Sequence, residues 1–254
     1  MSEFSRHEVC AVAIAETFRD DGEILVSPIG NLPTIGARLA KRSFEPDLLL
    51  TDGVAFLLAS VGSVGDGEGP EPVIEGWLPY RSVFDVLWSG RRHIMMGASQ
   101  VDRWGNQNIS CIGDFERPEV QLLGMRGAPG NTINHCTSYW VPNHSPKVFV
   151  EAVDVVCGIG YDRAAALGEE TSRYHEIRRV VSNLGVFDFG SPDHRMRLAS
   201  LHPGVTLEEV TQNTGFELLI GDDIPTTRAP TDEELRILRE EIDPGGLGRR
   251  EVSA

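Results

Sequence analysis

The chain has 254 residues, 41% hydrophobic and 24% charged, a composition that suits one large α/β domain with an adequate core. Its formal net charge of -15 opposes contact with a phosphate backbone. That excludes bulk nucleic-acid binding but not a small anionic ligand held by local arginines.

Four irregularly spaced cysteines (Cys10, Cys111, Cys136 and Cys157) make neither a disulfide framework nor a structural zinc site. No apolar run reaches the roughly 18 residues of a membrane helix. The N-terminus, MSEFSRHEV, has no apolar signal core, so a reducing cytoplasm is the expected location. Residues Arg6 to Arg19 are alanine-rich and partly amphipathic and predict a helix. Glu23 to Ser27 predicts a short strand. A turn-rich stretch from Pro28 to Pro33 leads to a helix over Thr34 to Lys41, with Lys41 and Arg42 at its C-terminal end. Leu48, Leu49 and Leu50 read as a central parallel strand buried on both faces, followed by Thr51, Asp52 and Gly53. Open α/β sheets bind ligands at the carboxyl ends of such strands, which makes Asp52 a catalytic candidate. Its alternative role is to cap the turn at Gly53. Helix, strand, helix, strand within fifty residues predicts an α/β fold: an open, mainly parallel sheet with helices on both faces.

The stretch VGSVGDGEGPEP over 61–72 is not a phosphate loop, because Asp66, Glu68 and Glu71 repel phosphate and no lysine follows. Ile74 to Ser89 puts Val83, Phe84, Leu87 and Trp88 at helical spacing and predicts a core-facing helix. His93 to Met96 predicts a buried strand, Asp102, Gly105 and Asn106 a turn, and Asn108 to Ile112 a further strand. The polar run Gln100, Asp102, Gln107 and Asn108 fits a hairpin without any ligand, since such side chains satisfy turn backbones. GMRGAPGNTIN, over 124–134, is the second candidate for chemistry. Its glycines let successive backbone N–H groups converge as an oxyanion hole, with Arg126 among them. A solvated surface arginine is the plainer alternative. His135 and Cys136 are sequence neighbours with no evident orienting third group, which disfavours a nucleophile pair.

Lys147 to Gly160 predicts strand, turn, strand. Its Gly158 and Gly160 are too little for a dinucleotide fingerprint, with Arg163 at the third glycine position. Arg178 to Phe189 predicts two strands turning at Asn183 to Gly185, and Met196 to His202 one more. Thr206 to Asn213 and Thr231 to Ile242 predict helices, each opened by a threonine with a glutamate three residues on. A single domain over 1–245 and a loose tail over 246–254 are expected.

Taken in order, these motifs resemble the beta subunit of the class I CoA-transferases of the glutaconate type, through nearly the whole chain. The resemblance runs through Pro33 and Gly36-Ala37, Pro46-Asp47, MGASQVDRWGNQNIS, the glycines of 124–130, and Glu240-Glu241-Ile242-Asp243-Pro244. Within the family, the segments EGWLPYRSVFDVLW, GAPGNTINH, TSYWV, GYDRAAA, RVVSNLGVFDFGSPDHRMR and SLHPGVT resemble a divergent branch. That branch comprises actinobacterial hydrolases that open the last steroid ring of a CoA thioester. The resemblance implies a CoA-transferase-like fold, an alpha-subunit partner in an α2β2 assembly, and a CoA-thioester substrate. It implies no separate cofactor, because CoA is part of the substrate.

Two departures from the transferases carry the functional expectation. Their nucleophile is a glutamate, and the matching position here is Asp52, one methylene shorter. A nucleophile must come within about 3–3.5 Å of its carbon, and a 1 Å error costs on the order of 100-fold, so loss of transferase chemistry is expected. The second departure is Arg126, where the transferases have a small residue. The resemblance then implies Arg126 and the backbone of Gly127 as oxyanion stabilisers, Asp52 as a helper, and Gly130, Asn131, Asn134 and Tyr139 as substrate contacts. The alternatives are a transferase with Asp52 as nucleophile, or a scaffold subunit without chemistry.

Overall fold

Strand β1 (Leu25–Pro28) pairs in parallel with β5 (Arg92–Gly97), and the two carry the centre of the first half of the chain. A computed structural model describes residues 3–53, 55–65 and 71–252, and the contacts gather into two compact units. Unit 1 comprises residues 1–96 and 227–254, and unit 2 comprises 97–226. The fold is α/β with mainly parallel central strands, as expected.

In unit 1, helix α1 (Arg6–Glu16) buries an almost continuous run from Glu8 to Ala15. Ser5 caps it, and Glu8 completes a capping box. Helix α2 (Asn31–Ser43) crosses it closely because Gly36 has no side chain: a Cβ there would stand 2.4 Å from Ile14 Cγ2. Lys41, in the last turn of α2, donates to the carbonyls of Pro46 and Leu48 and so fixes the turn into β2 (Leu50–Thr51). Leu48 and Leu50 are buried as expected. The surroundings of this strand differ from the expectation. Leu49 bridges β1 in parallel, but β2 pairs antiparallel with β3 (Phe56–Ser60), which pairs antiparallel with β4 (Val73–Trp77).

The predicted core-facing helix over Ile74 to Ser89 is not formed. Its first part is β4, and only α3 (Ser82–Leu87) is helical, with none of its residues buried. Helical spacing of apolar residues there reports an apolar surface and not a core. Asp66 and Glu68, which argued against a phosphate loop, lie outside the described residues. Within β5, His93 is fully buried and its Nδ1 lies 2.7 Å from Asp21 Oδ2, with Phe18 edge-on to the ring.

Unit 2 begins with the hairpin of β6 (Gln100–Val101) and β7 (Gln107–Asn108), followed by that of β8 (Cys111–Ile112) and β9 (Val120–Gln121). Helix α4 (Ala128–Asn134) then leads into β10 (Cys136–Val141), every residue of which is buried. The two strands expected over Lys147 to Gly160 reduce to isolated bridges at Phe149 and Gly158. Helices α5 (Tyr161–Leu167) and α6 (Glu169–Ser172) precede β11 (Glu176–Ser182), which is parallel to β10. Then β12 (Gly185–Asp188) and β13 (Arg197–Leu201) continue antiparallel, and α7 (Leu207–Gln212) follows with Thr206 as its cap. His144 stacks on Phe149 at 3.7 Å, with Phe187 beside both.

The chain returns to unit 1 with α8 (Asp232–Arg236), capped by Thr231 and Glu234 and continued by a wider turn over Ile237–Ile242. Arg228 bridges Glu16 and Glu234, and Arg239 pairs with Glu8, so this segment is stitched to α1. The tail, expected to be loose, is anchored through Glu251 and Val252, the last described residues. Glu251 accepts from the backbone N–H groups of Asn31 (2.9 Å) and Leu32 (3.4 Å), and Val252 is buried. The cause is Gly30 at the α2 N-cap: glycine offers no side-chain oxygen, so a distant carboxylate satisfies the first-turn donors.

Candidate active site

Asp52 ends β2 in unit 1. Its Oδ1 accepts from the backbone N–H groups of Ala55 (2.9 Å) and Phe56 (3.0 Å), and its own N–H donates to Phe56 O. Gly53 follows at φ 84°, the left-handed region that glycine enters without strain. The turn-capping role is therefore realised. An oxygen that two N–H groups hold is a poorer nucleophile than a solvated one, because attack would cost those bonds.

The second candidate lies in unit 2. Gly124 has φ 80° and Arg126 has φ 51°; Gly127 returns to φ -86° as the N-cap of α4. What reads as a glycine-rich loop is thus a short strained turn joined to a helix that contains Pro129 and Gly130. The left-handed region costs a residue with a side chain about 1–2 kcal/mol. Arg126 accepts that cost while exposed, and among the described residues its guanidinium has no hydrogen bond or ion pair. The same turn also exposes Leu123 and Met125. Gly130 N–H belongs to the first turn of α4, where no carbonyl within the helix is available to it.

The other expected contacts divide. Asn134 is half-buried and its Nδ2 donates to Gly130 O at 2.8 Å; Asn131 is buried, its backbone N–H donating to Gly127 O. Both hold the geometry of α4. Tyr139 is a correction: it is wholly buried in β10 and its hydroxyl donates to Gly105 O at 3.2 Å. Burial holds its phenol far above the usual range, so it is a core residue and not a substrate contact. Its place in a six-residue buried strand hides this, because strand patterning does not distinguish a buried tyrosine from a pocket one.

The polar run from Gln100 to Ser110 is structural, as the hairpin reading expects. Asp102 accepts from the N–H groups of Trp104 and Asn106 and from Asn106 Nδ2, and Asn106 also reaches Asp162. Burial raises the Asp102 carboxyl despite those donors. Gln100 and Asn108 tie the hairpin to Asp154 and Cys111. Two residues carry buried atoms that sequence reasoning did not single out. His175 Nδ1 donates to Thr132 O at 2.6 Å, which leaves Nε2 as a buried acceptor with no partner among the described residues. Burial lowers its basicity and keeps the ring neutral. Gln107 Oε1 is likewise buried without a partner among those residues. His175 sits in no motif that would mark it, and Gln107 reads from sequence only as one of the hairpin's polar residues. No group of three or more metal-ligating side chains is disposed around a common point among the described residues.

Residues 7–213 match the family model described as Coenzyme A transferase. The chain belongs to the coenzyme A transferase family. It is 54% identical over 253 residues to the cholesterol ring-cleaving hydrolase IpdB subunit of Rhodococcus jostii, spanning 100% of this chain and 98% of that relative. The solved structure of Rhodococcus jostii IpdAB superimposes with a TM-score of 0.93 and covers 100% of both chains. One subunit of the glutaconate CoA-transferase of Acidaminococcus fermentans is 26% identical over 260 residues, covering 95% and 94% of the two chains. The solved structure of that transferase gives a TM-score of 0.80 over 96% of each chain. Within the coenzyme A transferase family, this chain is thus about twice as similar to a ring-cleaving hydrolase subunit as to that transferase chain.

Proposed function

We propose that this chain is the beta-type subunit of a two-chain hydrolase that opens the last ring of a steroid-derived CoA thioester in cholesterol breakdown. The observation that carries the reading is the full-length identity of 54% to a ring-cleaving hydrolase subunit. The partner is an alpha-type subunit, and the CoA moiety arrives with the substrate, so no separate cofactor is needed. Four buried cysteines held as thiols suit a reducing cytoplasm. No helix among the described residues is long and apolar enough to cross a membrane.

The chemistry is a retro-Claisen cleavage. Water, relieved of a proton by a base of the alpha-type subunit, adds to a ring ketone beta to the thioester. The ketone oxygen becomes an alkoxide. Its collapse forms a carboxylate and breaks the C–C bond, and the electron pair passes into a thioester enolate that then takes a proton. The net change is one water gained with CoA still attached. Two oxyanions form in succession, and Arg126 is the exposed cation that meets them, helped by the N–H groups of Gly127 and Gly130. Asp52 holds its turn and is not a covalent nucleophile. Asn131 and Asn134 support α4 beneath the loop.

The test uses this chain co-purified with its alpha-type subunit and the keto-cyclohexene carboxyl-CoA thioester, without an acyl acceptor. A product heavier by one water and still bearing CoA is expected. No reaction until a free carboxylic acid is added, followed by CoA exchange, would mean a transferase with Asp52 as nucleophile.

A further inference from the structure

An apolar face stands open on unit 1. Phe56 and Trp77 are partners across the β3–β4 ladder, and Tyr80 meets Phe84 edge to face at 5.7 Å. With Val73, Ile74 and Trp88 they make seven large apolar side chains, each 39–72% exposed. β4 is the edge of its three-stranded sheet, so unpaired backbone groups lie beside these side chains. β3 and α3 also line a cavity of about 380 Å³, through Leu57 and Val86, whose walls include Glu23, Asp85 and Arg91. Glu75, Arg81 and Asp85 are exposed among the apolar residues, as polar groups are at an interface rim.

The size of this face separates it from ordinary surface. At the ~150–250 Å² that a large aromatic presents, the seven side chains leave roughly 700 Å² open. The largest apolar patch of a typical monomer is about 300–600 Å². One side of a stable protein interface is about 800 Å². We infer that the face formed by β4, Tyr80 and α3 is the docking surface for the alpha-type subunit. A second copy of this chain is the poorer occupant, because each copy brings a net charge of -15 and like fields repel on approach. This assignment rests on the two-chain reading above and adds to it the location of the contact.

The test titrates the full chain and its Trp77→Ser, Trp88→Ser and Ile74→Glu variants with the alpha-type subunit of the same organism. Affinity is read by sedimentation velocity and folding by circular dichroism. These side chains are exposed, so the variants should melt as the wild type does. Each tryptophan variant should bind the alpha-type subunit about 30-fold more weakly or worse, the loss that a central aromatic anchor carries. In the wild-type chain, amide exchange over residues 73–88 should slow when the alpha-type subunit is added, a readout independent of the variants. Wild-type affinity in all variants with unchanged exchange overturns the assignment. So does normal alpha binding with lost self-association, which would put a second copy on this face. A wild-type chain that ignores the alpha-type subunit altogether refutes the two-chain reading, a result distinct from insensitivity of the variants.

Discussion

Arg126→Gly should make the protein more stable and nearly inactive. Arg126 sits at φ 51°, exposed, without a hydrogen bond or ion pair among the described residues. Relief of the left-handed strain returns about 1–2 kcal/mol. The greater freedom of glycine in the unfolded chain takes back about 0.5–1 kcal/mol. The net is a gain of about 0.5–1 kcal/mol, or roughly 1–4 °C in melting temperature for a chain of this length. Loss of the cation should lower turnover about 100- to 1000-fold, as removal of one oxyanion donor does. Scanning calorimetry and a single-turnover mass assay of the assembled complex read the two effects separately. A melting temperature below that of the wild type would show that the side chain supports the fold, and the strain argument would fail. Near-normal turnover would remove Arg126 from the chemistry.

Two further outcomes concern stability. His144 is buried with Nδ1 at 3.0 Å from Ser182 Oγ and Nε2 at 3.0 Å from Thr214 Oγ1, and burial lowers its pKa to about 3. The unfolded chain takes up the proton near 6.5 while the folded chain resists it down to about 3, so stability falls as pH drops through that window. Between pH 7 and 5 this one residue should account for a loss of about 2 kcal/mol, and His144→Gln should show a smaller loss over the same interval in urea unfolding. Glu251→Ala should cost about 0.5–2 kcal/mol, the usual effect of losing an N-cap, with faster amide exchange at Asn31 and Leu32; unchanged exchange there would deny the cap.

Much of the fold is legible residue by residue. The alanine-rich pattern marks α1, Lys41 and Arg42 mark the end of α2, and Thr206 and Thr231 mark the starts of two helices, because local backbone chemistry decides these features. The hairpin at Asp102 to Asn106 is legible for the same reason. Ile74 to Ser89 is not, because apolar spacing reports only that side chains leave water, and the surface that receives them is not encoded in the segment. Lys147 to Gly160 misleads because alternation is present but only isolated bridges form. At the site, Arg126 and Asp52 are visible through their glycine neighbours. The burial of Tyr139 and the lone acceptor of His175 depend on contacts from residues far away in sequence, and the positive φ of Arg126 is not marked by its residue type.

The carboxylate of Glu251 at the start of α2 ties the order of synthesis to the order of folding. Unit 2 is one continuous stretch, but unit 1 is made from both ends of the chain. Residues 97–226 leave the ribosome while the first 96 still lack their cap, the Arg228 and Arg239 pairs and the packing of α8. At about 5–20 residues per second, that wait is on the order of 10–30 s. The N-terminal helices emerge first and finish last. The open aromatic face is made from residues 56–88 of that same waiting segment. Unit 1 is thus completed only when residues 227–252 join it.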